Sequence, residues 1–205
     1  MTKPTSTTFR PFYAQTSSAL AHWQPLLNQW IENIKRYCER IEDVPYWHSE
    51  QANVFLLAAS ALQVTGWTAL VEFPNRKDNT IASFGRVDAW IKPDKGEDYI
   101  EAKHCLLDLH SPQSLPIIHN SLEKAIVEAK RIPYDENRIG VVFICPRHTK
   151  QQADQSGTLR EKLQSDLLME SYDATAWAFP TLSHEPWSPR TNKIYPGVIL
   201  LARLV

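Results

Sequence analysis

Gly85-Arg86-Val87-Asp88-Ala89-Trp90-Ile91, a turn over 92–97, then Tyr99-Ile100-Glu101-Ala102-Lys103: this stretch decides how the chain is read. Successive side chains of a strand point to opposite faces. Val87, Ala89 and Ile91 therefore share one face, and Arg86, Asp88 and Trp90 the other. In the following strand Ile100 and Ala102 lie opposite to Glu101 and Lys103. If the hairpin pairs the two strands in register, Asp88 and Glu101 converge and Lys103 stands one pleat away. Two close carboxylates repel each other unless positive charge lies between them. Oxygen ligands from two acids plus water suit Mg²⁺. Such an ion activates bound water and stabilises negative charge at a phosphate. A neighbouring lysine orients or deprotonates the attacking water and offsets the phosphodiester charge.

Working outward, the spacing of Leu20, Trp23, Leu27, Trp30, Ile31 and Ile34 predicts a helix over 17–40. Its apolar stripe is too large to leave in water, so it is expected to pack on the core or on a second subunit. Pro45 closes that helix, because the residue before a proline avoids the helical region. A second helix is predicted over 49–64, with Ser49 as N-cap and Gly66 as its stop. It is apolar on much of its surface, which implies packing on more than one side. A β-meander follows: a strand over 67–73, a polar turn over 74–80, a strand over 81–91, a turn over 92–97 and a strand over 98–105. Next come a helix over 115–131 and the nearly continuous apolar run RIGVVFIC at 138–145, a strand covered on both faces. A helix over 152–170 and strands over 175–179 and 197–205 complete the chain, with a proline-rich excursion over 180–196. The order α-α-β-β-β-α-β-α-β-β predicts an α/β layered domain, a mixed central sheet flanked by helices. Residues 1–45 read as an N-terminal helical extension and 46–205 as the main domain.

An aspartate on one strand, a short connection, then Glu101-Ala102-Lys103 on the next strand resembles the signature of the PD-(D/E)XK nuclease superfamily. Glu50, near the start of the 49–64 helix, matches a glutamate that the family often carries before the meander. The element order from 49 to 179 is similar to the family core. The resemblance implies a restriction-endonuclease-like fold and a metal-dependent phosphodiesterase acting on DNA or, less often, RNA. It implies that Asp88, Glu101 and the Ala102 carbonyl hold Mg²⁺ or Mn²⁺, that Lys103 is the catalytic lysine, and that Glu50 is an auxiliary acid. Val87 stands where the family signature has proline. Glu-Ala-Lys occurs a second time at 128–130, inside a predicted helix, where Glu128 and Lys130 point in different directions. Lys124, Lys130 and Arg131, on the helix after the meander, suit contacts with nucleic-acid phosphates and equally suit a solvated helix face.

The bulk numbers bound these readings. With 43% hydrophobic and 22% charged residues, the 205-residue chain has the balance of an ordinary globular domain. Its net charge of -1 carries no global attraction for nucleic acid, so any basic surface must be local. The odd cysteine set Cys38, Cys105 and Cys145 argues against a disulfide framework and for a reduced, cytoplasmic setting. The first ten residues lack the apolar stretch of a signal peptide, and the longest apolar runs are too short to cross a bilayer. Cys145 and His148, like His104, Cys105 and His110, lack the spaced second pair of a zinc site. Asp88, Glu101 and Lys103 also suit a solvent-facing cross-strand ion-pair set. The expected function is a Mg²⁺-dependent nuclease with nucleic acid, DNA before RNA, as its partner. The alternative is a non-catalytic binding or inhibitory protein on the same fold. Homodimerisation or a partner protein stays open.

Overall fold

The computed structural model describes residues 9–76 and 84–205. Its centre is a mixed seven-stranded sheet in the order β1-β6-β9-β5-β4-β3-β2. The strands are β1 (Phe12–Thr16), β2 (Thr68–Arg76), β3 (Phe84–Lys92), β4 (Asp98–Asp108), β5 (Asn137–Arg147), β6 (Ala174–Ala178) and β9 (Val198–Leu204). Only β4 and β5 pair in parallel; the other neighbours are antiparallel. The helix α3 (Ser114–Ala129) connects that parallel pair, as a parallel crossover requires. The remaining helices are α1 (Gln24–Ile41), α2 (Glu50–Ala61) and α4 (Ala153–Leu168).

Alternation in the central strands builds two cores. Ile139, Val141, Phe143 and Cys145 of β5 face α1 and α2, together with Ile100 and Ala102 of β4. Val142 and Ile144 face α3 and α4, with Cys105 and Leu107 of β4. This explains the continuous apolar run of β5, which has no solvent face. The close packing of α3 depends on Gly140. A Cβ there would lie 2.7 Å from the backbone nitrogen of Ile126, so only glycine lets the helix come this near.

The α/β layering with a mixed sheet between helices agrees with expectation, and the details differ in four places. The sheet gains β1 at one edge, paired with β6, so the segment 1–45 contributes a strand as well as a helix. The first long helix begins at Gln24, after a short 3₁₀ turn over Ala21–Trp23. Pro25 accounts for this, since proline is tolerated in the first turn of a helix and not in its interior. The apolar stripe packs on the sheet of its own chain, with Trp23 of the 3₁₀ turn and Leu27, Trp30 and Ile34 of α1 all fully buried. Strand β2 runs on to Arg76 through Pro74, where a turn was expected, while residues 77–83 of that turn and the next strand lie outside the described residues. The proline-rich excursion carries a small hairpin of β7 (Trp187–Ser188) and β8 (Lys193–Ile194). Strand β2 is the outer strand on the meander side, and Glu72 within it has a left-handed backbone, φ 53°.

Candidate active site

The β3–β4 ladder pairs Ile91 with Asp98, Trp90 with Tyr99 and Ala89 with Ile100, and then ends. The same register carried one step further sets Asp88 across from Glu101. Beyond this point no strand among the described residues pairs with this edge of β4, and its N–H groups on that side need other acceptors. Two carboxylates supply them. Asp88 Oδ2 accepts the Ala102 N–H at 2.7 Å, and Glu50 Oε2 accepts the His104 N–H at 2.9 Å. The split in the sheet is thus closed by acids where a strand would have offered carbonyls. In a strand the N–H and C=O of one residue point to the same side. The Ala102 carbonyl therefore faces the split too.

Each acid arrives by a separate route. Ser49 caps α2, accepting the Ala52 N–H at 3.1 Å, and this sets Glu50 in the first turn. From there Glu50 reaches across to β4, so it is more than a favourable charge at a helix start. His104 secures the same corner: its Nε2 lies 3.1 Å from the Tyr46 carbonyl, which also accepts from Cys145 Sγ at 3.0 Å. Burial pulls the His104 imidazole below its ordinary pKa, with the Tyr46 carbonyl opposing, which fits a neutral structural histidine. Asp88 sits just past the end of the β3–β4 ladder. Opposite it, between the pairs Val71–Ala89 and Phe73–Val87, stands the left-handed Glu72. Here the expected alternation gives way. Ala89 and Ile91 pack beneath α1 and α2, whereas Val87 joins a separate cluster with Tyr99 and Ile132.

Lys103 projects toward α3 and donates to Glu128 Oε2 at 2.8 Å. Burial pulls the pKa of the ammonium down, but the Glu128 hydrogen bond and the charges of Glu50, Glu128 and Asp88 outweigh it, so the pKa is raised. Glu50 is shifted upward, first by burial and then by Asp88 and Glu128, with Lys103 and the His104 N–H opposing. Glu50, Asp88, Lys103 and Glu128 therefore lie within electrostatic reach of one another. Three acids surround a single lysine, and the excess negative charge favours a cation.

Glu101, the remaining predicted acid, is 1% exposed. It lies on the strand side turned to α3, beside Gly140 of β5. Among the described residues, no three His, Cys, Asp or Glu side chains gather closely enough to hold a metal ion by themselves. The oxygen donors expected from the sequence are Asp88, Glu101 and the Ala102 carbonyl, and Mg²⁺ is commonly held by one or two carboxylates plus water and substrate oxygens.

The three basic residues expected to meet phosphate are all exposed. Lys124 and Arg131 line one groove of about 200 Å³ with Asn120, Glu123, Val127 and Glu128, while Lys130 lies outside its lining. A larger cavity of about 390 Å³, between the start of α3 and α4, contains none of the candidate residues. Glu128 is the site residue that sequence reasoning passed over. The signal for it was its position three residues after Ala125 and two after Ile126, at the margin of the buried stripe of α3. No protein-family model, curated protein or solved structure matches this chain.

Proposed function

We propose that this protein is a Mg²⁺- or Mn²⁺-dependent nuclease that hydrolyses phosphodiester bonds of DNA or RNA, on a layout resembling the PD-(D/E)XK nucleases. The observation that carries the proposal is the split between β3 and β4. Asp88 and Glu50 are fixed there by main-chain N–H groups, beside Lys103. Asp88, Glu101 and the Ala102 carbonyl would hold the cation, with Glu50 as the auxiliary acid. When bound, such an ion supplies a hydroxide near neutral pH and offsets phosphate charge. The chain's own part is orientation. The main-chain bonds leave Asp88 and Glu50 little freedom to rotate. Lys103, kept protonated by its acidic neighbours, acts as a hydrogen-bond donor to water or a phosphate oxygen rather than as a base. Lys124 and Arg131 would meet the substrate backbone from a groove that also carries Glu123 and Glu128, on a chain whose net charge is -1.

We place the protein in the cytoplasm, on the ground that Cys38, Cys105 and Cys145 are all free and buried. Among the described residues no helix is long and apolar enough to cross a membrane. The burial of Glu101 favours a second reading, a non-catalytic binding or inhibitory protein with a relict site. One experiment separates the two. Purified protein is mixed with single- and double-stranded DNA and RNA, with Mg²⁺, Mn²⁺ or EDTA. The nuclease reading expects metal-dependent cutting, abolished in Asp88→Ala and Glu101→Ala. Lys103→Ala should keep the metal-induced rise in melting temperature and lose most of the rate. Glu50→Ala should lose less. A wild type that cuts none of these substrates with either metal would leave the binding-protein reading.

A further inference from the structure

We propose that Glu128, on α3, is the positioning residue for Lys103, holding its ammonium at the split between β3 and β4 where a phosphodiester would be attacked. This inference rests on the nuclease reading above. A lysine ends in a compact charge on a flexible four-carbon stem, and nothing in β4 itself directs that stem. The 2.8 Å contact with Glu128 Oε2 supplies the direction. An ammonium has three N–H donors, so one bond to Glu128 leaves two for water and a phosphate oxygen. The pair is partly open, with Lys103 24% and Glu128 34% exposed, so substrate can approach it from the groove that Glu128 helps to line.

The anchor is itself firmly placed. Ile126 and Ala129 flank Glu128 and are buried, which fixes the rotation of α3 about its axis. Gly140 lets the Ile126 backbone press on β5 directly beside Glu101. A carboxylate on such a helix turn cannot follow a wandering lysine, so the lysine comes to it. The consequence is specific: Glu128 serves the reaction through Lys103.

The test is a double-mutant cycle on cleavage of defined single- and double-stranded oligonucleotides with Mg²⁺ or Mn²⁺. Glu128→Ala is expected to lower kcat by about ten- to a hundredfold, the scale of a misplaced catalytic group, with KM within about twofold of wild type. Glu128→Gln, which keeps an acceptor oxygen, should recover part of the rate. In a Lys103→Ala background, Glu128→Ala should cost nothing further. Equal losses in both backgrounds would mean that Glu128 serves the fold alone and would overturn the inference. So would a wild-type kcat in Glu128→Ala. If Glu128→Ala does not fold, the same cycle is run with Glu128→Gln, whose side chain has the same size. A wild type that cuts nothing overturns the nuclease reading, and this inference with it. Additive losses on an active enzyme overturn this inference alone.

Discussion

Gly140→Ala alters no charge and no predicted site residue, yet it should damage both stability and activity. The added methyl would stand 2.7 Å from the Ile126 nitrogen, 2.8 Å from its Cγ1 and 3.0 Å from its Cα. Ordinary contact is about 3.5–4.0 Å, so α3 must withdraw by about 1 Å. Overpacking of this kind costs about 1–3 kcal/mol. Against it, replacing glycine stiffens the unfolded chain and gains about 0.4–1 kcal/mol. The obstacle is helix backbone rather than the end of a flexible side chain, so the cost wins, leaving a net loss of about 1–2 kcal/mol. Urea titration should show a lower midpoint with an unchanged slope, the mark of lost stability without a change in the surface exposed on unfolding. Glu128 lies two residues beyond Ile126 on the same helix, so Lys103, bonded to it at 2.8 Å, would be drawn away from the split with it. Cleavage should then slow, although every acid and the lysine are still present. A Gly140→Ala protein with the wild-type midpoint would refute the claim that α3 bears directly on the sheet at this point.

Two other outcomes follow from the same geometry. Burial raises the pKa of Glu50, so the folded protein binds that proton more tightly than the unfolded chain does, and stability falls as pH rises through the window above 4.5. Glu50→Gln should therefore raise the melting temperature at neutral pH while lowering activity, and the gain should vanish below about pH 4.5, where both states are protonated; a variant that gains equally at all pH values would contradict this. Asp98 is fully buried and accepts from His22, Trp23 and Asn137, each at 2.8 Å, so Asp98→Ala strands three donors and should cost about 3 kcal/mol in chemical denaturation, with a cost under about 1 kcal/mol counting against the account.

The parts of this molecule that were legible in the sequence are those set by local rules. The hairpin of β3 and β4 could be read because strand alternation and turn chemistry act within a few residues, and the α2 start could be read from Ser49. The doubly covered β5 announced itself by its unbroken apolar run. What was not legible depended on contacts between distant segments. Residues 12–16 carry little alternation, and they become β1 only because β6, near the other end of the chain, offers an edge and Trp177 Nε1 donates to the Arg10 carbonyl. Val87 joins Tyr99 and Ile132 where β2 carries the left-handed Glu72 and the β3–β4 ladder ends at Ala89, and neither event has a signature in Val87's neighbours. Glu128 looked like a chance repeat of a tripeptide. Its role comes from the height at which α3 rides over the sheet, which is decided by a glycine on another element. The use of Asp88 and Glu50 as substitutes for strand carbonyls was also hidden, because a sequence shows which groups are acidic and not which amides lack partners.

The outer strand β2 has a further consequence, for assembly. A sheet edge offers a row of amide groups to any extended segment, and proteins that must not polymerise interrupt that row. Here the interruption is double: Glu72 turns the backbone out of the extended conformation, and Pro74 has no N–H to offer. Two copies of this chain cannot zip together along the full length of β2, and a host peptide could not extend the sheet there without a gap. The left-handed Glu72 that stands opposite Asp88 thus also acts as a guard against edge-to-edge aggregation.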